Sequence, residues 1–357
     1  MTSYFVDSAG GNDLDSGGIG DPWADINFAI TQYSPGDALN VRSNNPHTLD
    51  SAPTWTDGTV DAPVIVRGYT TTENDGGHAS ILPNGFSFVG TGANYIAFVD
   101  LGFSGTLSGA WFNAGSDCRI LRCSADMSGG ASYGFRVSNY GYVAGCSIFG
   151  GSGPQDLLTT GAYSYAYGNF LECDGGSSAS GLIGMSSGGK LIKNVIVLSG
   201  DTGAMQAIVE LDGFVNAIHS NTFFASAGSA KAGVFSPSGS RAATIFDNIF
   251  AGFSLTGGKA INIDAASYDT AIMRNAFWDN DTDISYGGGL TDDYANESIG
   301  SNPFAAVGDP TDPADVLTYF APQNVDNVLT GGTFGQHKGA IAPASGGGGS
   351  TLIVVDD

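Results

Sequence analysis

Apolar residues return at fixed distances along the middle of the chain. Ala97, Ile120, Val143, Ala166, Leu191, Ile218, Ile245 and Ile272 form one column. Five residues later Gly102, Ala125, Ile148, Leu171, Ile196, Phe223, Phe250 and Phe277 form a second. Between them stands a marker position: Asp100, Cys123, Cys146, Asn169, Asn194, Asn221, Asn248 and Asn275, spaced by 23, 23, 23, 25, 27, 27 and 27 residues. A period in the twenties, with short β-prone segments broken by Gly, Ser and Asn, predicts a β-solenoid, in which each turn stacks its apolar side chains on those of its neighbours. Asparagine at the marker suits a left-handed corner between two strands. Stacked asparagine amides can also bond one another as a ladder.

Before the repeats, residues 4–7 read as a strand and residues 8–18 as a turn-rich loop. The one helix predicted follows. Asp21 is its expected cap, Pro22 its first position, and Ile26, Ala29, Ile30 and Tyr33 its apolar face. Such a helix would cover the open end of a solenoid core. Residues 38–42 and 63–68 read as the first coil strands. After Trp278 the repeat is expected to stop. The predicted organisation is an N-terminal cap with first coils over 1–70, parallel coils over 71–280, a C-terminal cap over 281–343, and a Gly-rich linker with a terminal strand over 344–357. In that strand Leu352, Ile353, Val354 and Val355 are expected to bind a partner by main-chain pairing, with folding back onto the chain's own cap as the alternative.

Several segments resemble right-handed parallel β-helix proteins of the pectate-lyase-like superfamily. Near the start these are Tyr4-Phe-Val-Asp7, Gly11-Asn-Asp13, Pro22-Trp-Ala-Asp-Ile26, Pro35-Gly-Asp37 and Ala62-Pro-Val-Ile-Val-Arg-Gly-Tyr69. Near the end they are Ser301-Asn-Pro-Phe304 and residues 335–342. With the coil repeat, the resemblance spans nearly the whole chain. It implies an all-β, right-handed, single-stranded parallel β-helix with an N-terminal capping helix and an irregular C-terminal cap. It implies no single activity, because the superfamily holds lyases, hydrolases, epimerases, phage spikes and non-catalytic members.

Composition narrows the partners. Gly accounts for 55 of 357 residues, yet 42% of the chain is hydrophobic and 21 residues are Phe, which marks an ordered, turn-rich β architecture. A net charge of −23, from 35 acidic residues against 12 Lys and Arg, makes nucleic acid a poor partner. The same field opposes polyanionic glycans unless a cation bridges them. No apolar run is long enough to span a membrane, and the first twenty residues lack a secretory signal. Cys123 and Cys146 share a register on adjacent coils; stacked free thiols are the preferred reading and a disulfide the alternative.

Four tyrosines carry the clearest candidate chemistry. One and three positions before the inward column, alternation places Tyr142 with Tyr140 and Tyr165 with Tyr163 outward, beside Asp117, Arg119 and Lys190. Aromatic faces stack on sugar rings, while phenol, Arg and Lys groups bond sugar hydroxyls or acids. The same columns would also suit a subunit interface or plain sheet stabilisation. Asp126 and Glu172 stand two coils apart, roughly 9.6 Å along the stack, and are candidates for an inverting carboxylate pair. A lyase of this superfamily would place a Lys or Arg base near Ca²⁺-binding acids. Arg119, Arg122 and Lys193 lie on neighbouring coils, but no acid cluster faces them in register.

Asp279, Asp281 and Asp283 alternate as Ca²⁺ ligands could, although Ile284 and Leu290 break the EF-hand pattern. No cofactor is required by these motifs, and Ca²⁺ is the one metal they suggest. Two G-x-S-x-G matches, around Ser132 and Ser186, are rejected as nucleophile elbows because neither opens a helix and the histidines are scattered. The sequence predicts a structural or adhesive β-helix protein of a phage particle that binds surface glycans. The alternative is a secreted polysaccharide lyase or glycoside hydrolase. Expected partners are further copies of the chain, as in a trimer, other virion proteins, and polysaccharide, in a virion or extracellular setting.

Overall fold

The computed structural model describes residues 1–304, apart from 91, 108, 129–132, 152–155, 174–180, 201–206, 212, 215, 226–230, 238–241, 265–269 and 288–290, together with 320 and 338–340. The terminal strand expected at Leu352, Ile353, Val354 and Val355 lies outside the described residues. The described residues form an all-β parallel β-solenoid of about nine turns with almost no helix. It divides into two compact units, Met1–Phe149 and Gly150–Asp357.

In the first unit, one sheet is built from Ser3–Val6, Ala38–Arg42, Val64–Tyr69, Ile96–Val99, Arg119–Leu121 and Tyr142–Ala144. A second runs from His47–Thr48 through Ala79–Leu82, Leu101–Phe103 and Ser124–Asp126 to Ser147–Phe149. A third pairs Ala110–Ala114 with Tyr133–Val137. All of these pairings whose register is known are parallel. The core is aromatic: Phe88, Phe98, Phe103, Phe112 and Phe135 are fully buried and meet edge to face at 4.7–6.4 Å, an arrangement favoured by the ring quadrupole.

The helix is shorter than predicted, Ile26–Ile30, and its cap is Asp25 rather than Asp21. The Asp25 carboxylate accepts from the Asn27 N–H at 2.7 Å. Asp21 and Pro22 stay in a turn because Trp23 pairs with Val6 as an extended bridge. The apolar face is as expected, with Ile26, Ala29, Ile30 and Tyr33 buried.

The second unit stacks three regular sheets. The first holds Tyr165–Tyr167, Lys190–Ile192, Asn216–His219, Ala243–Phe246, Thr270–Met273 and Thr291–Tyr294. The second runs from Phe170–Cys173 to Glu297–Ser298, and the third from Asp156–Thr160 to Thr282–Tyr286. The last strand of each sheet lies beyond Trp278, so the coil pattern continues one turn further than the sequence suggested. Leu171, Ile196, Phe223, Phe250 and Phe277 fill the interior, with the last three rings stacked at 4.6 and 5.6 Å. Phe304 and Phe320 cover Phe224, and Lys338, 1% exposed, pairs with Glu297 at 3.2 Å.

The asparagine ladder is present and entirely buried up to Asn275. Each side-chain oxygen accepts from both the backbone N–H and the Nδ2 of the preceding asparagine, at 2.8–3.0 Å, from Asn169 through Asn194, Asn221, Asn248 and Asn275 to Asn296. The left-handed corner, however, falls one residue before the ladder. Arg122, Gly145, Gly168, Lys193, Ser220, Asp247, Arg274 and Ala295 carry the positive φ there. Asp100 belongs to this corner column rather than to the marker column. Leu101 pairs above Cys123, and the inward residues of that coil are Phe98 and Phe103 instead of Ala97 and Gly102. All four cysteines are buried free thiols.

Candidate functional site

On the first sheet of the second unit the inward residues are Ala166, Leu191, Ile218, Ile245 and Ile272. Strand alternation turns the residues on either side of each toward solvent. One outward column runs Tyr165, Lys190, Ala217, Thr244, and the next runs Tyr167, Ile192, His219, Phe246, Met273. Lys190 Nζ donates to the Tyr165 hydroxyl at 3.0 Å and lies 4.7 Å from its ring centre. Lys193, at the corner, lies 5.9 Å from the Tyr167 ring. The His219 ring stacks on Phe246 at 4.8 Å and 10°. Arg274 approaches the same Phe246 ring, and its Nε donates to Asp247 at 2.9 Å.

Seven of the chain's 12 Lys and Arg residues lie on, or directly after, strands of the two first sheets: Arg42, Arg67, Arg119, Arg122, Lys190, Lys193 and Arg274. Four are neutralised by Asp7, Glu73, Asp100 and Asp247. Arg119, Lys190 and Lys193 have no carboxylate partner among the described residues. In a chain of net charge −23 this gathers unpaired positive charge onto one kind of face. Burial holds His219 below the ordinary histidine range; Asp247 opposes this, and Lys193 and Lys190 add to it. His219 is therefore a neutral imidazole at pH 7, able to accept a proton.

The predicted tyrosines fall two in each unit. In the first, Tyr142 pairs in register with Arg119 and is half-buried, while Tyr140 occupies a left-handed corner and is 59% exposed. In the second, Tyr165 pairs with Lys190 and Tyr163 occupies the equivalent corner, 57% exposed. The Tyr163 ring lies over Gly188, where a Cβ would meet ring atoms at 2.6 Å, so only glycine fits beneath it. Tyr140 and Tyr163 thus stand at corners, and not within strands as alternation suggested. Asp126 and Glu172 lie one in each unit, on second sheets rather than on the faces bearing the cations. Asp126 accepts from the Ser128 N–H at 3.0 Å and so closes its own turn.

Asp279, Asp281 and Asp283 do not converge. Asp281 accepts from the Gly257 N–H, and Asp283 from Asn280 and Ser298. Among the described residues no three His, Cys, Asp or Glu side chains are grouped to hold a metal. His219 and Phe246 escaped the sequence reading, although their 27-residue spacing in the column two before the ladder was available to find them.

No family model and no curated protein sequence matches the chain. Among solved structures it is similar to pectate lyase Pel9A, with a TM-score of 0.60 and 12% identity over 96% of each chain. It is also similar to a rhamnogalacturonan lyase, at a TM-score of 0.49 and 11% identity over 86% of this chain and 91% of that one. A mannuronic acid specific polysaccharide family 6 lyase from human gut microbiota aligns at 0.43 and 14% identity, covering 85% and 89%. The fold is a parallel β-helix resembling that of pectate lyase Pel9A.

Proposed function

We propose that this protein binds an acid-bearing polysaccharide along the first sheet of its second unit, and that β-elimination of a uronate chain is the activity this face best fits. The observation that supports the reading is the grouping of Lys190 and Lys193, without carboxylate partners, with aromatic rings and a neutral His219 on adjacent in-register strands. Tyr165 and Tyr167 offer faces for sugar rings. The lysines neutralise the uronate carboxylate, which makes the C5 proton removable. His219 takes that proton. The freed electron pair forms the C4–C5 double bond, the bond from C4 to the glycosidic oxygen breaks, and the departing oxygen takes a proton from the Tyr165 hydroxyl or from water.

The test is absorbance at the wavelength of the unsaturated product, together with binding by calorimetry, over a panel of polyuronates and neutral polysaccharides with Ca²⁺ and with chelator. Turnover lost in Lys193→Ala and His219→Gln, with binding weakened by Lys190→Ala, is the expected result. Binding without turnover would leave the adhesive role predicted from the sequence. Absence of both on polyuronates overturns the proposal.

A further inference from the structure

The first unit carries a cleft of about 320 Å³ lined by Val60, Ile65, Tyr95, Asp117, Arg119 and Tyr140, within the size range of small-molecule sites. Its floor is apolar. Ile65 pairs in register with Ala97, and Ala97 with Arg119, so the sheet presents two aliphatic side chains followed by a guanidinium. One wall is the left-handed corner column Tyr95, Asp117 and Tyr140, with φ of 54°, 58° and 58°. Main-chain bonds tie this wall together: Val64 N–H donates to Tyr95 O, Tyr95 N–H to Ser116 O, and Asp117 N–H to Asn139 O, at 3.0–3.2 Å.

The opposite wall is the loop bearing Val60, which is 76% exposed. It is pinned at several points. Asp57 accepts from the backbone N–H and side chain of Asn94, the Gly58 N–H donates to Asn94 O, and Trp55 Nε1 donates to Phe88 O. The cleft is thus formed before any ligand arrives, which removes an ordering cost from binding.

Its charged equipment is one carboxylate and one guanidinium, beside the hydroxyl-bearing Thr59, Tyr95 and Tyr140. Neither the Asp117 carboxylate nor the Arg119 guanidinium has a side-chain partner among the described residues, and they form no ion pair with each other. A carboxylate beside an aliphatic floor and an aromatic wall matches a ring with one apolar face and a rim of hydroxyls: Asp117 accepts from adjacent hydroxyls, Arg119 donates to an oxygen, and the ring face lies on Ile65 and Ala97. Asp117 also repels a ligand carboxylate or phosphate in an already acidic protein. We infer that this cleft is a second carbohydrate site that takes a single neutral pyranose, independent of the lysine face of the second unit.

The experiment is ligand-observed saturation-transfer NMR and titration on the whole protein. The probes are methyl glycosides of common neutral hexoses and N-acetylhexosamines, with the methyl glycoside of a uronic acid alongside. Asp117→Asn and Tyr140→Asn are the test variants, because asparagine tolerates the left-handed backbone and both should melt near the parent temperature. At least one neutral probe should bind, at least tenfold more weakly to either variant and unchanged in Lys190→Ala. Failure of every neutral probe to bind, binding indifferent to both variants, or a preference for the uronic acid would each overturn the inference.

Discussion

The Asn221 side-chain oxygen accepts two hydrogen bonds from Asn194, one from its backbone N–H at 2.8 Å and one from its Nδ2 at 3.0 Å. Asn221 Nδ2 in turn donates to Leu191 O, His219 O and Asn248 Oδ1. One side chain thus serves three successive turns, in a place from which water is excluded.

Asn221→Ala should be among the most damaging substitutions in the second unit. It strands the Asn194 donors and the Leu191 carbonyl at once, and each stranded buried group costs about 1–3 kcal/mol. A loss of at least about 3 kcal/mol in urea unfolding is expected from that sum. A loss below about 1 kcal/mol would mean the ladder is not a main support of the stack.

Lys338 and Glu297 make a different kind of test. Removing the carboxylate leaves an ammonium that is 1% exposed without its counter-charge. Glu297→Gln should lower stability by about 2 kcal/mol, less than for a fully dry pair because Glu297 is a third exposed. Adding Lys338→Met to that variant should recover part of the loss, as measured by a double-mutant cycle.

Three histidines make stability depend on pH in one direction. Burial lowers the titration of His47, His78 and His219, opposed at His47 by the hydrogen bond to Arg42 O. The folded protein then binds fewer protons than the unfolded chain, whose histidines titrate near 6.5, so stability is full above that pH and declines as pH falls below it. His47 Nδ1 is buried without a partner among the described residues, so protonation there places an unsatisfied charge in the core. Melting temperatures of His47→Gln should change less between pH 7 and pH 5 than those of the parent.

Asp7 acts in a more acidic window. Burial opposes its charge, but bonds from Asn44, Ala9 N–H, Arg42 and Gly10 N–H outweigh it and bring the carboxyl down to about 2. Its contribution is present above the unfolded value near 4 and lost as pH falls toward 2. Asp7→Asn should flatten the stability profile over that interval, and an unchanged slope would remove Asp7 as its source.

Tyr165→Ala should separate binding from folding. The side chain is 37% exposed and touches Lys190, so the melting temperature should move little while affinity for an acidic glycan falls. A matching loss of stability would assign Tyr165 to the sheet instead.

Much of the fold was legible because stacking imposes one residue type on one column. Ile218 over Leu191 and Phe250 over Phe223 repeat for the same packing reason, and Asn repeats because an amide bonds its own kind. The corner could not be read that way. The left-handed corner imposes no one side chain, so Arg122, Lys193, Ser220 and Asp247 share a conformation without sharing chemistry. That freedom is why Asp100 was mistaken for a marker and why the first coil was read one residue out of register. The binding face was half legible: Tyr165 and Lys190 stood out by type, whereas His219 gained meaning only from its charged and aromatic neighbours.

The ladder also behaves as a ruler. Because each side-chain oxygen from Asn194 to Asn275 accepts from the asparagine of the coil before it, and each Nδ2 from Asn169 to Asn248 donates to the asparagine of the coil after, any whole coil between Asn194 and Asn275 could be removed or duplicated and leave each amide with a like neighbour. A deletion of one residue fewer would leave the ladder out of step, so the length of this protein is set in discrete steps of one full turn.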